Sequence, residues 1–405
     1  MVKKAPLNVF TVGTNVGALT RSDIQDDTVL FGYGPGTAAA DAVSLTMPVR
    51  TDQYDSMAGL LPIFEMNLPE GALRERLRSL FAKVIPEFDD LDLLGIVGTS
   101  QIGRLRYSHG REISEEVPGE NLEEILTYRG GEDLFAHLMT RYARFSGVSG
   151  MQPKVLIRDS GFAGKVAHLG ATHLVKSFDR REYPELAANE YLCTLGARAA
   201  GIRTANVRLS GNRQLLLVDR FDLIDGKYLG VEDFCVLNAR RAHGRYDGSY
   251  ERIAQRIREF VSPESLPQAL EQYVLQVVYA CAIGNGDAHL KNFSVLYADA
   301  QAMVELSPAY DMLCTVLYSP RDTLALELGG DKAFPDRARL VHFIRAVTGK
   351  SARAAQTVLR QVGAGVREAI RLAHEFGREH TDAGHFVQRL TAALTHGLTG
   401  LGEHG

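Results

Sequence analysis

The amino-acid sequence predicts an α+β fold, with an N-terminal α/β subdomain and a mostly helical C-terminal lobe. In the first half, short β-prone runs such as residues 29–33 alternate with turn residues and short amphipathic segments. After residue 232, Ala, Leu and Val recur at intervals of three and four residues, which is typical of helices. The length of 405 residues indicates two or three domains.

Composition limits the class of protein. Hydrophobic residues are 45% and charged residues 23%, as in ordinary soluble globular proteins. The longest apolar run, residues 273–283, is too short to span a bilayer, and no long apolar region follows residues 1–4. We therefore expect no membrane contact and no secretory signal. The four cysteines are scattered without a C-x-x-C motif, which predicts reduced thiols and a cytoplasmic location.

The charge is slightly acidic overall but unevenly distributed. The formal net charge is −4, which argues against general nucleic-acid binding. From Lys332 to the C-terminus, however, Lys and Arg outnumber Asp and Glu. This basic third is either a solvated helical face or a surface for DNA or an acidic partner, and the sequence leaves both interpretations open.

Four regions follow one another in the predicted domain order. Residues 1–110 form the N-terminal subdomain, residues 111–140 a polar linker with short helices, residues 141–221 a small lobe and residues 222–405 a helical large lobe. In the first region we expect strands at residues 8–12 and 29–33 and a helix at residues 72–84. In the last region we expect helices at residues 250–261, 265–284, 336–348, 351–376 and 381–398.

A loop of small residues precedes a strand predicted at residues 155–158. Small side chains let backbone amides approach a polyphosphate, and serine hydroxyls can donate to it. The loop matches neither the Walker motif nor G-x-G-x-x-G, so a plain hairpin is the alternative interpretation. Its candidate phosphate-binding residues are Ser149, Gly150, Met151, Gln152, Pro153 and Lys154.

Lys176 lies in the next predicted strand, residues 172–178. A strand lysine that faces such a loop can contact phosphates, and Glu190, in the following predicted helix, is its candidate ion-pair partner. The alternative is an edge lysine whose charge remains in water. Farther along, a predicted hairpin over residues 207–218 leads out of the small sheet. The segment that leaves it is the candidate for backbone hydrogen bonds to an adenine ring, and its residues are Asp219, Arg220 and Phe221.

Residues 283–295 are the most informative stretch. Asp287 and Asn292 lie five positions apart in a polar loop, the D-x-x-x-x-N spacing of a protein-kinase catalytic loop. In such a loop the Asp accepts or orients a hydroxyl proton and the Asn amide oxygen holds Mg²⁺. Lys291 adds a positive charge for the phosphate that is transferred.

A predicted hairpin over residues 293–306 should bring Asp311 back beside Asn292. A carboxylate at that place would complete a two-ligand Mg²⁺ site. Taken one at a time, Asp287 and Asn292 are equally compatible with turn residues, and Asp311 with a helix N-cap. The order of all three along the chain, with Lys291 between them, favours phosphoryl transfer.

These motifs resemble those of the HipA family of bacterial toxin serine/threonine kinases. The resemblance covers nearly the whole chain, and its most specific parts are residues 284–294 and 308–311. It implies a two-lobed protein-kinase-like fold that uses ATP and Mg²⁺. The further segments that carry it are residues 64–71, 98–105, 149–154, 189–190 and 219–222.

The resemblance also implies roles for individual residues. Asp287 would be the catalytic base and Lys291 would assist it, while Asn292 and Asp311 would hold the metal. The implied nucleotide contacts are residues 149–154, Lys176, residues 219–221, His289, Asn292 and Tyr310. Family members often carry an autophosphorylated serine three positions before the loop glycine, where this chain has Gly147. Ser149 and Ser146 are the remaining candidates.

Family members phosphorylate a cellular protein, usually an aminoacyl-tRNA synthetase, and thereby arrest growth. The resemblance implies a HipB-like helix-turn-helix antitoxin as partner, with DNA bound only through the antitoxin complex. Two other functions remain open from the sequence. One is a kinase-like, DNA-binding co-repressor partner of an antitoxin, and the other is a kinase for a small molecule.

Overall fold

A computed structural model describes residues 4–22, 28–56, 59–113, 116–129, 133–161 and 170–402. Residues 114–115 and 130–132 of the predicted linker lie outside these ranges. The chain divides into two compact units, each of which is described by itself. Unit 1 comprises Met1–Ser177, Ser210–His243 and Val295–Met303, and unit 2 comprises Phe178–Leu209, Gly244–Ser294 and Val304–Gly405.

An antiparallel sheet begins unit 1. Its strands are β1 (Leu7–Thr11), β2 (Thr14–Arg21), β3 (Val29–Tyr33), β4 (Tyr54–Ser56) and β5 (Leu105–Ser108). They neighbour one another in the order β4-β3-β2-β1-β5. Helices α1 (Pro62–Glu65), α2 (Gly71–Phe81) and α3 (Asp90–Val97) contribute to the same apolar core. The predicted strands at residues 8–12 and 29–33 and the predicted helix at residues 72–84 are confirmed, with ends that differ by up to three residues.

A second sheet of unit 1 carries the loop of small residues. The elements of this region are β6 (Gly119–Glu120), α4 (Leu122–Thr127), α5 (Leu134–Tyr142), β7 (Lys154–Asp159), β8 (His173–Ser177) and β10 (Leu215–Asp219). The strands are neighbours in the order β6-β7-β8-β10. In the antiparallel pair of β7 and β8, Lys154 lies directly opposite Lys176.

Short elements complete unit 1. They are β11 (Leu223–Ile224), β12 (Lys227–Tyr228), β13 (Gly230–Asp233), α7 (Phe234–Leu237) and the part of β14 (Ser294–Tyr297) that follows Ser294. Glu232 on β13 is fully buried and accepts hydrogen bonds from the Ser44 hydroxyl (2.6 Å), the Leu45 N–H (2.7 Å) and the Tyr297 hydroxyl. Because a buried carboxylate needs such donors, these bonds fix the segment around Ser44.

Unit 2 is mostly helical. Its elements are α6 (Leu186–Ala199), β9 (Val207–Leu209), α8 (Tyr250–Phe260), α9 (Leu266–Ala282), β15 (Val304–Leu306), α10 (Arg337–Thr348), α11 (Ala352–Glu379) and α12 (Gly384–Gly400). Helix α11 packs against α6, α9 and α12. The apolar run at residues 273–283 forms the buried end of α9. Within the described ranges, no helix has the length and apolar character needed to cross a membrane.

The predicted return of the chain after the catalytic loop is confirmed within unit 2. The Ser307 N–H donates to the Ser294 carbonyl at 2.9 Å, and the two serine hydroxyls lie 2.9 Å apart. The chain therefore passes beside Asn292 shortly before it reaches Asp311.

Candidate active site

The loop that carries Asp287 begins where α9 ends, and it is held by its own side chains. Asn285 is buried and accepts a hydrogen bond from the Asp287 N–H at 3.0 Å. The Asn285 amide also donates to the Asp311 carbonyl at 3.2 Å. Asn285 therefore joins the backbone of the Asp287 loop to the segment that carries the second predicted carboxylate.

Thr315 and Asp322 hold the loop from another side. The Gly286 N–H donates to the Thr315 hydroxyl at 2.7 Å, and this hydroxyl contacts the Asp322 carboxylate at 2.5 Å. A Cβ atom on Gly286 would lie 2.3 Å from Asp322 Oδ2, so only glycine permits this close approach. The residue before Asp287 is therefore fixed by both a hydrogen bond and steric contact.

The Asp287 carboxyl is exposed at the surface of the protein, yet protein atoms crowd it. This crowding raises the pKa of Asp287, and the neighbouring carboxylates Asp311 and Asp322 raise it further. The hydroxyl of Tyr246, which donates to Asp287 Oδ1 at 2.9 Å, and the positive charge of Arg245 act in the opposite direction. A carboxylate with a raised pKa is suited to accept a proton near neutral pH.

Asn292 and Asp311, which are 19 residues apart in the sequence, meet in the structure. The Asn292 Nδ2 donates to Asp311 Oδ2 at 3.1 Å, while the Asn292 Oδ1 accepts from the His289 N–H at 2.9 Å. Asp311 adopts a left-handed backbone conformation with φ of 57°, which Asp tolerates better than most residues. The predicted proximity of the two side chains is thus confirmed.

The pair fits a magnesium ion in the kind of atoms it offers. Mg²⁺ prefers oxygen ligands and is commonly held by one or two side chains together with phosphates and water. Asp311 supplies a carboxylate, and the amide oxygen of Asn292 retains a second lone pair beside its bond to His289. Within the described ranges, no group of three or more His, Cys, Asp and Glu side chains forms a metal cluster. Asn292 and Asp311 thus offer two oxygen atoms of the kind that Mg²⁺ prefers, and their role as metal ligands stays a prediction.

The remaining predicted residues of unit 2 surround this pair. The Tyr310 hydroxyl donates to the carbonyl of Lys291 at 2.7 Å and so fixes the backbone of that lysine. His289 is buried, and burial together with the nearby Arg245 lowers its pKa to about 4. His289 is therefore neutral at pH 7 and presents an uncharged ring beside the loop.

In unit 1, Lys154 and Lys176 lie side by side. Their cross-strand pairing places both side chains on one face of the sheet, and only 7% and 2% of their surfaces are exposed. The ammonium group of Lys154 folds over Gly150, where a Cβ atom would lie 2.2 Å from Nζ. The two predicted phosphate-binding lysines therefore lie on the same face of the sheet, and their predicted role stays a prediction.

Two family models match the chain. The HipA N-terminal domain model covers residues 7–108, and the HipA-like C-terminal domain model covers residues 146–370. The chain belongs to the HipA family. The C-terminal match spans the loop of small residues, the catalytic loop and Asp311, so every predicted site residue lies within it.

Known relatives agree with this assignment. A protein of Sinorhizobium fredii named "Putative kinase Y4dM" is 28% identical over 359 residues, covering 82% of this chain and 83% of the relative. A second protein of Sinorhizobium fredii, named "Putative kinase Y4mE", is 27% identical over 351 residues, covering 80% of this chain and 80% of the relative. HipA from the Shewanella oneidensis HipA, HipB and operator DNA complex superposes with a TM-score of 0.67 over 98% of both chains, at 17% identity. The predicted α+β, HipA-like fold is confirmed.

The two candidate autophosphorylation serines of this HipA-family chain have different surroundings in unit 1. Ser146 is fully buried; its hydroxyl donates to the Tyr142 carbonyl at 2.8 Å and accepts from the Leu156 N–H at 2.9 Å. Ser149 is half-buried, and its hydroxyl donates to the Glu70 carboxylate at 2.5 Å. Ser149 is therefore the more accessible of the two, while phosphorylation at either stays a prediction.

The middle of the predicted phosphate loop is open at its tip. Met151 exposes 66% of its surface, Gln152 is half-buried, and the Pro153 carbonyl accepts from the Ser177 N–H at 2.9 Å, which ties the end of the loop to β8. The Met151 backbone lies close to Gly71, where a Cβ atom would be 2.6 Å from the Met151 carbonyl oxygen. Its predicted role stays a prediction.

At the predicted hinge, the side chain of Arg220 is part of the core of unit 1. Its guanidinium bonds both oxygens of Asp222, at 3.0 and 2.6 Å, and stacks over the ring of Tyr228 at 4.2 Å. The Arg220 N–H donates to the Thr172 carbonyl at 3.1 Å, so this N–H is already engaged. The backbone groups of Asp219 and Phe221 remain the candidates for adenine.

Several contacts at the site were missed by sequence reasoning. Tyr246, Thr315 and Asp322 reach the catalytic loop from 41, 29 and 36 positions away, respectively, from the residues they touch. Glu70 reaches Ser149 across 79 positions. No periodicity or motif connects residues at such distances. The predicted pairing of Lys176 with Glu190 joins residues of different units and stays a prediction.

Proposed function

We propose that this HipA-family chain is an ATP- and Mg²⁺-dependent protein serine/threonine kinase. The observation that carries the proposal is the contact between Asn292 and Asp311 at the end of the loop that presents Asp287. The family assignment and the relatives named as kinases support a HipA-like kinase. That ATP is the nucleotide, Mg²⁺ the metal and a serine or threonine the acceptor is our own proposal.

Each residue has a defined task in this proposal. Asp287 would accept the proton of the acceptor hydroxyl, helped by the raised pKa of its carboxyl. Lys291 would add positive charge at the transferred phosphate. Asn292 and Asp311 would hold the metal, which, when bound, neutralises charge on the phosphates.

The residues of unit 1 would bind the rest of the nucleotide. Lys154 and Lys176 would contact the phosphates from one face of the sheet, and Gly150 lies against the ammonium group of Lys154. Backbone groups of Asp219 and Phe221 would form hydrogen bonds with the adenine ring. We keep the predicted division into N-terminal subdomain, linker, small lobe and large lobe as part of this proposal.

We further propose a cellular role by analogy with the family. The Shewanella oneidensis protein is seen in a complex with HipB and operator DNA, which supports a HipB-like antitoxin as partner of this chain. An aminoacyl-tRNA synthetase as phosphorylated protein, and growth arrest as the outcome, follow from the resemblance alone. We keep the predicted cytoplasmic location as part of this proposal.

Direct DNA binding by the basic C-terminal third is the weaker alternative. Part of its positive charge is paired within unit 2. Arg371 bonds Glu368 and Glu375, and Lys350 contacts Glu271. Paired arginines and lysines have less charge to offer to phosphates. A small-molecule kinase would use the same loop, so only the identity of the acceptor separates it from our proposal.

The proposal can be tested with three matched Asp→Asn variants and radiolabelled ATP. Asp287→Asn and Asp311→Asn should lose transfer of label to protein, while Asp55→Asn, an exposed residue on β4, should behave as wild type. Phosphopeptides that appear in cells with wild type and not with Asp287→Asn would identify the acceptor. Full transfer by both site variants would refute the assignment.

A further inference from the structure

Tyr246 makes a contact with Asp287 that no motif predicts. Its hydroxyl oxygen lies 2.9 Å from Asp287 Oδ1 and donates to it. Its ring stands edge-on to the His289 imidazole, with ring centroids 5.1 Å apart and an interplanar angle of 72°. Tyr246 exposes 45% of its surface, so the ring is accessible although its hydroxyl is engaged.

The backbone around Tyr246 is anchored to the catalytic loop. The Leu290 N–H donates to the Arg245 carbonyl at 3.1 Å, and Lys332 Nζ donates to the Tyr246 carbonyl at 3.1 Å. At the start of α8, the Tyr250 hydroxyl donates to the Ala288 carbonyl at 3.0 Å. These bonds fix the backbone that carries the Tyr246 side chain, so the position of its phenol ring is set by the fold of unit 2.

A general base needs such a support because an Asp carboxylate rotates easily. The terminal torsion of Asp is broad and roughly two-fold, so the two oxygens exchange places at little cost. The Tyr246 hydroxyl donates to one oxygen of this carboxylate. The bond holds Oδ1 and leaves Oδ2 for another hydroxyl.

We propose that Tyr246 is a positioning residue for Asp287, which fixes Oδ1 so that Oδ2 can receive the proton of the acceptor hydroxyl. The inference rests on the proposed kinase function. In the transfer step, the acceptor oxygen forms a bond to the γ-phosphorus and the bond from phosphorus to ADP breaks. The acceptor proton passes to Asp287 Oδ2, while Tyr246 keeps its own proton throughout.

The charged and titratable groups around Asp287 come from several segments. Tyr246 and Arg245 approach from the loop before α8, and Asp311 and Asp322 approach from the chain after β15. Tyr183, from the segment before α6, and Tyr250 of α8 also sense the charge of Asp287, because it raises their pKa values. Of these groups, Tyr246 is the one whose hydrogen bond lowers the pKa of Asp287.

The test is Tyr246→Phe, which keeps the ring on His289 and removes only the hydroxyl. We would measure transfer from ATP to dephosphorylated casein, and ATP hydrolysis without casein, between pH 5 and 9. The kcat should fall by about tenfold, the loss expected for a hydrogen bond to a charged group, with KM for ATP unchanged. The acid limb of the kcat profile should move to higher pH, because Asp287 loses a bond that lowers its pKa.

Tyr54→Phe is the matched control, since its hydroxyl bonds the Pro48 carbonyl of unit 1, and it should leave both activities unchanged. Circular dichroism and binding of ATP would establish that Tyr246→Phe is folded. A wild-type kcat and pH profile in Tyr246→Phe would overturn the inference. A higher kcat/KM for casein would also overturn it, because the phenol would then occupy the place of the acceptor hydroxyl.

Asp287→Asn separates this inference from the proposed function. If Asp287→Asn is inactive and Tyr246→Phe is unchanged, the kinase assignment stands and the role of Tyr246 is refuted. If Asp287→Asn keeps full activity, the proposed function fails and the inference fails with it. Loss of kcat in both, with the shifted acid limb only in Tyr246→Phe, is the result expected.

Discussion

Replacing Asp222 with Ala should destabilise unit 1 by about 3–5 kcal/mol, the usual cost of removing one partner of a buried ion pair. Asp222 exposes only 2% of its surface and accepts three hydrogen bonds, two from Arg220 and one, at 2.7 Å, from the Gly103 N–H. Without it, the Arg220 guanidinium stays buried beside Tyr228 and the Gln101 carbonyl but loses the carboxylate that it bonds twice.

The double variant Arg220→Met with Asp222→Leu is the matched comparison. It removes both charges together, so the main remaining costs are the Gly103 N–H, which loses its acceptor, and the Gln101 carbonyl, which loses a donor. An unsatisfied buried N–H costs about 1–3 kcal/mol. We therefore expect the double variant to be more stable than Asp222→Ala alone, although it carries more changes.

Acid should affect the wild type and the variant differently. Burial raises the pKa of Asp222, but Arg220 and the Gly103 N–H outweigh it and lower the pKa below its ordinary value. The stabilisation from Asp222 is therefore complete above its unfolded pKa of about 3.9 and is lost as the pH falls below that value. Asp222→Ala lacks this part of the acid dependence.

The assay is thermal unfolding combined with hydrogen exchange of peptides around residues 101–106 and 215–224. Exchange is needed because a chain of two units does not have to unfold in one transition. A loss of 3–5 kcal/mol corresponds to a fall in Tm of about 10 °C for units of 150–250 residues. A double variant that is no more stable than Asp222→Ala would refute the reasoning that the two charges compensate each other.

Three further predictions concern the site itself. Asp311→Asn should weaken ATP binding about tenfold relative to wild type when Mg²⁺ is present, because the amide cannot neutralise the metal. In calorimetric titrations with EDTA, the variant and wild type should bind ATP equally. Equal binding by the two proteins with Mg²⁺ as well would contradict a metal role. Thr315→Val should lower kcat about tenfold, because the Gly286 N–H loses its acceptor. Thr357→Val, on the exposed face of α11, is the control and should leave kcat unchanged. An unchanged kcat in Thr315→Val would show that the loop keeps its position without this bond. Glu70→Ala should speed hydrogen exchange at residues 149–152, because the Ser149 hydroxyl loses its acceptor. Glu75→Ala, at an exposed position, serves as the control. Unchanged exchange in Glu70→Ala would show that Glu70 does not hold this loop in place.

Local patterns were sufficient for the elements and for part of the site. The helices from α8 to α12 were predictable because apolar residues at three- and four-residue spacing must share one face. Asp287 and Asn292 could be proposed from the sequence because protein kinases keep this spacing within one loop. Asp311 was found because a hairpin reverses the chain, which turns a distance along the sequence into proximity.

Register and long-range contacts were beyond the sequence. The strand predicted at residues 155–158 begins at Lys154 in the structure, and only the pairing with β8 shows that Lys154 faces Lys176. A shift of one residue would place one of these lysines on the other face. Tyr246 and Glu70 left no signal either, because a single tyrosine or glutamate far away in the chain has many equally plausible neighbours.

The segment that follows β15 explains why the predicted loop works as a unit. Its Asp311 meets Asn292, and its Thr315 meets Gly286, so it holds together the part of the loop that we propose binds metal and the part that carries the proposed base. Asn189 on α6 then brackets Cys314, between those two residues, by donating to its carbonyl and accepting from its N–H, both at 3.0 Å. Because Asn189 is fully buried, a displacement of α6 would also shift this segment, and we expect the proposed base and metal ligands to move with it.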